Sequence, residues 1–161
     1  MTYATNTTVS VEKSEAEIKR NLLRHGADQI GVMQGDEGAM VMFRMNGRTY
    51  RFALRLPMRD DKEYTHYVHG RSRRPVARSE EAAERFWEQA CRSHWRALNL
   101  VIKAKLEAVD AGIVTFEDEF MPHAMVNPKQ TLGEIMKPQL EAYYAEGKPP
   151  AGLPMLTGPS K

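Results

Sequence analysis

The chain has 161 residues, 42% of them hydrophobic and 27% charged, with a formal net charge of +2 and one cysteine. That is enough chain and apolar content for one domain with its own core, while a single cysteine excludes a disulfide scaffold and a cysteine-based zinc site. No apolar run reaches the length of a membrane-spanning helix, and the polar start from Met1 to Ser10 has no basic-then-apolar signal; a cytoplasmic protein with no membrane partner is expected.

Residues 1–11 are rich in Thr and read as a flexible arm. Ser14 and Glu17 have capping-box spacing, and Ile18, Leu22 and Leu23 give the apolar stripe of a short helix ending at Gly26. Three strand signals follow: Ile30 to Met33, Ala39 to Met45, and Arg48 to Leu56 before Pro57. Gly35-Asp36-Glu37-Gly38 forms the first turn. Asn46-Gly47, the strongest short hairpin signal, forms the second and sets the register: Met45 faces Arg48, Phe43 faces Tyr50, and Val41 faces Phe52.

This register separates two chemically different faces. Val41, Phe43, Tyr50, Phe52, Leu54 and Leu56 share the core face. Met40, Met42, Arg44, Thr49, Arg51, Ala53 and Arg55 share the other. A mixed Met and Arg face fits a half-exposed sheet, a face hidden by a later helix, or a contact surface for a partner.

From Pro57 to Arg78 there is no core periodicity, and arginines alternate with Tyr64, His66, Tyr67 and His69 around Gly70. This stretch reads as a basic loop. Ser79 then caps a long helix that runs to Gly112, on the order of 50 Å at the rise of an α-helix. Its spacing puts Arg85, Glu88, Arg92, Arg96, Asn99, Lys103 and Glu107 on a polar side. Trp87, Cys91, His94, Leu98, Val101 and Ile102 fall opposite. Thr115 with Asp118 caps a short helix stopped by Pro122, and Thr131 with Glu134 opens a last helix that ends at Gly147, with Pro138 as a kink or a fresh start. The Pro-rich residues 148–161 form an extended tail. The expected fold class is therefore α+β: helix, three-stranded antiparallel sheet, long helix (αβββα) and C-terminal helices, in a single domain over residues 12–147.

Charge is unevenly placed. Between Arg44 and Arg78 ten basic residues face three acids, a local excess of seven positive charges that leaves the rest of the chain at five net negative. Such a block suits a polyanion, and nucleic acid, DNA or RNA, is the leading expected partner. Arg44, Arg51, Arg55, Arg71, Arg73, Arg74 and Arg78 would neutralise phosphates while Tyr64 and Tyr67 stack on bases. The alternative is an interaction module, such as an inhibitor or adaptor or a homo-oligomer, using Met40, Met42, Arg92 and Arg96.

Catalytic machinery is not expected, and neither is a cofactor. No glycine-rich phosphate loop enters a helix; His66 and His69, three apart, could share a metal with His94 or His123, but two His in a loop are weak evidence and no metal is expected. Asp60, Asp61 and Glu63 leave a metal-dependent nuclease as the residual enzyme reading.

In order of elements the chain resembles a double-stranded-RNA-binding domain and is similar to the core of phage-type single-strand annealing proteins, although Arg71 to Arg78 lacks the lysine cluster of the former. Phe86-Trp87-Glu88-Gln89-Ala90-Cys91, Val101 to Val109 and Phe116 to Phe120 resemble a family of uncharacterised small proteins of bacterial phages and mobile elements. That likeness covers Val11 to Pro154 and implies a mobile-element setting without an active site.

Overall fold

The computed structural model describes residues 4–35, 38–70 and 74–147. Helix α1 (Val11–Arg24) precedes strands β1 (Gln29–Gly35), β2 (Gly38–Met45) and β3 (Arg48–Leu54) of one antiparallel sheet in the order β1-β2-β3. A single turn, α2 (Lys62–Thr65), leads into a two-stranded ribbon of β4 (His66–Val68) and β5 (Pro75–Ala77). Helix α3 (Glu80–Asp110), α4 (Phe116–Phe120), a 3-10 turn at Met121–His123 and α5 (Leu132–Glu146) complete the α+β fold. The expected tail at 148–161 lies outside the described residues.

The hairpin register is the expected one, residue for residue: Met45↔Arg48, Phe43↔Tyr50 and Val41↔Phe52. Asn46 and Gly47 both adopt positive φ, 52° and 73°, as a two-residue turn of this hand requires. One sheet face carries Val41, Phe43, Tyr50 and Phe52, all buried, against Ile18 and Leu22 of α1, Phe120 of α4, and Trp95, Leu98, Ile102 and Leu106 of α3. Phe43, Tyr50, Phe52 and Phe120 meet at centroid distances of 5.3 to 6.3 Å, so rings fill the middle of the core.

Three expectations need correction. Ser10, not Ser14, caps α1 by accepting the Lys13 N–H at 3.2 Å. The helix starts a turn earlier because Val11 packs on the core, and Ser14 is buried inside it. On α3 the buried stripe is Cys91, Trp95, Leu98, Ile102 and Leu106, with Asn99 beside it. His94 is exposed and Val101 half-exposed, so the apolar side is turned from the expected one. Asn99 belongs inside because its side-chain amide donates to Glu17 at 2.6 Å. The basic loop, finally, contains the α2 turn and the ribbon.

The length of α3 is used by many small contacts. Residues 4–10 lie along it, with the Thr5 and Thr7 carbonyls accepting from Gln89 and the Thr5 carbonyl also from Ser93. Glu17 meets Arg96, and His25 meets Asp110 at 2.8 Å, so α1 and α3 run in the same direction. Beyond α4, Ala124 bridges Tyr50 and the Met125 N–H donates to Thr49 at 2.8 Å, which covers the open edge of β3.

Candidate nucleic-acid interface

The second sheet face holds the arginines that the sequence offers to phosphate, and two of the three are already engaged. Arg44 donates through Nε and Nη2 to the Asp28 carboxylate, each at 2.8 Å, and these hydrogen bonds hold the Asp28 carboxyl below its usual range. Arg51 donates to the Lys129 carbonyl at 2.9 Å and to the Glu134 carboxylate. The Glu134 carboxyl is also lowered, first by the Thr131 N–H and then by Arg51. Only about an eighth of the Arg51 side chain reaches solvent. Arg55 lies past the end of β3, exposed, with no ion pair among the described residues. Met40 and Met42 are half-buried between these groups.

The helical arginines assigned to a partner surface are likewise committed. Arg92 donates to the Gln89 side chain at 2.9 Å and lies 3.7 Å from Glu88. Arg96 donates to Glu17 at 2.6 Å. Burial works against the Glu17 charge, but the hydrogen bonds from Arg96 and Asn99 outweigh it and keep the carboxyl below its ordinary value. These contacts join α1 to α3.

The picture differs on the ribbon. His66 pairs with Ala77, Tyr67 with Val76 and Val68 with Pro75, and every strand residue except the half-buried His66 is exposed. The connection between β4 and β5 is His69-Gly70-Arg71-Ser72-Arg73-Arg74 in sequence. Arg74 is exposed at its end, while Arg71 and Arg73 lie outside the described residues. Arg78 fixes the base of the ribbon: its N–H donates to the Thr65 carbonyl at 2.8 Å. Its guanidinium sits 4.0 Å from the Phe86 ring centroid and 5.2 Å from that of Tyr67. Tyr64, expected to stack on bases, is half-buried on α2, and burial first, then Glu63 and Asp61, pushes its phenol up.

Phe86 is the residue that sequence reasoning missed. It stands off the stripe that carries Cys91, Trp95 and Leu98, and an aromatic displaced from a helix's buried stripe is the signal that would have found it.

A cleft of about 780 Å³ opens beside α3, bounded by the start of α1 and by Leu56 to Asp60. Its cations are taken up by neighbours: Arg59 lies over Trp87 and 2.7 Å from Glu84, and Arg92 is bound as above. Burial raises the Cys91 thiol on its wall, which makes a poor nucleophile of it. Among the described residues no three His, Cys, Asp or Glu side chains come together in a group that could hold a metal ion. No helix there is long and apolar enough to cross a membrane. Comparison with known proteins adds no relative: no family model, no curated protein and no solved structure matches the chain.

Proposed function

We propose that the protein is a non-catalytic nucleic-acid-binding protein that grips the phosphate backbone with the β4–β5 ribbon and the start of α3, leaving the three-stranded sheet out of the contact. One observation carries this reading. The sheet arginines Arg44 and Arg51 are neutralised by Asp28 and Glu134, whereas the strands of the ribbon stand exposed apart from His66, in a stretch from Tyr64 to Ser79 whose sequence holds no acidic residue. A two-stranded ribbon is also narrow enough to enter a groove or lie along a strand.

With Arg71, Arg73, Arg74 and Arg78 on about four phosphates, affinity falls roughly 100-fold between 50 and 200 mM salt. Fluorescence anisotropy with a labelled oligonucleotide measures this. Replacing Arg71, Arg73 and Arg74 together by Gln lowers the slope of log affinity against log salt by about three. A flat salt response of the unaltered protein rejects the proposal.

A second reading, a protein-interaction module, is favoured by α5. None of its residues is buried, and Leu140, Tyr143 and Tyr144 stand exposed on its second half. Either activity fits the phage or mobile-element setting that the resemblance implies.

A further inference from the structure

Tyr67, Arg78 and Phe86 form a row of planar groups at the base of the ribbon, and His69 extends it toward the β4–β5 connection. Tyr67 and His69 meet edge to face at 6.3 Å, and Arg78 bridges the Tyr67 and Phe86 rings. A row closed at both ends would be a buried latch, yet Phe86 is 50% exposed and Tyr67 38%. Val76, paired with Tyr67 across the ribbon, adds to the same exposed face. The Arg78 Nε is buried with no hydrogen-bond partner among the described residues, and the guanidinium lies against the Tyr67 and Phe86 rings.

A positively charged stack with open aromatic faces attracts a flat, electron-rich group joined to an anion. In a duplex the base faces are covered by their neighbours, and only the edges and phosphates are presented. In a single strand the faces are free to stack on protein rings. We infer that Tyr67, Arg78 and Phe86 form a stacking platform for an unpaired base, and that the ligand is therefore single-stranded nucleic acid. This inference rests on the nucleic-acid reading above and narrows it. Tyr67 was expected to stack; Phe86 and Arg78 complete its partner set, and Tyr64 drops out of it.

The test varies the ligand before the protein, so that no result depends on a variant's folding. Three labelled probes of about 20 nucleotides are titrated at one salt concentration: an oligothymidine, an abasic strand of the same charge, and a duplex. The unaltered protein binds the oligothymidine about ten-fold or more tightly than either of the others. Phe86→Leu and Tyr67→Leu, checked for unchanged circular dichroism, each close most of that gap without altering the salt slope, because they remove a ring and no charge. Equal affinity for the oligothymidine and the abasic strand overturns the stacking platform while leaving phosphate binding in place. Binding to none of the three probes at low salt removes the nucleic-acid reading itself, and the platform with it.

Discussion

His123 stacks on Phe52 with centroids 3.8 Å apart, and burial, followed by the Lys105 charge, lowers its tendency to hold a second proton. The unfolded chain, with an ordinary value near 6.5, therefore binds protons that the folded protein refuses. His123 costs no stability above that value, and the folded state weakens as pH falls through it. His123→Gln is expected to flatten the fall in Tm between pH 7 and 5, read by circular dichroism. An unchanged slope would place that loss elsewhere. The carboxylates that clamp the fold act lower: Glu17, Asp28 and Glu134 have lowered values, so their contribution is complete above the ordinary carboxylate range and disappears below it. Pairings of this kind were hidden from sequence. Glu17 stood three residues after Ser14 and read as a cap partner, and nothing local announced Arg96, Asn99 or the Arg51–Glu134 pair, which join residues about eighty positions apart.

Helix α5 shows how an element can be well formed and thinly attached. Thr131 and Glu134 make the complete capping box expected of them, and Gly147 ends the helix at a φ of 69°. Between these ends the helix passes through Pro138 without stopping, although proline supplies no N–H there. Attachment is concentrated in the first turn, where the Leu132 N–H donates to the Ala124 carbonyl at 2.8 Å and Arg51 reaches Glu134. Gly133 is chosen for closeness: a Cβ there would meet the Pro122 carbonyl oxygen at 2.7 Å. Gly133→Ala should destabilise by about 1 to 3 kcal/mol, visible as a lower urea midpoint, despite alanine's better helix propensity. A neutral or stabilising result would mean that the 3-10 turn yields. Elements with a strong local grammar were legible in the sequence: the Asn-Gly hairpin, the Ser79 cap and the Thr131 box. The β4–β5 ribbon was not, because three-residue strands are too short to display alternation.

At the scale of the whole molecule, several arginines are matched by acids that lie far away in the sequence. Arg44, Arg51 and Arg96, near the sheet and the helix pair, are matched by carboxylates. Sequence counts charges along the chain and cannot show this matching, which arises only when distant acids fold onto the basic residues. The ribbon contributes no buried residue to the core, and its loss should therefore cost little folding energy. Replacing residues 67–76 with a short Gly-Ser turn is expected to leave Tm within about 4 °C of the unaltered protein, the shift of roughly 1 kcal/mol for a chain of this size. The same replacement should abolish salt-dependent oligonucleotide binding, because it removes Arg71, Arg73, Arg74 and Tyr67 together. A large drop in Tm would make the ribbon part of the folding unit, and retained binding would return the interface to the body of the protein. Loss of binding at constant stability is the outcome that a ribbon built for contact demands, since a structural strap would lose both.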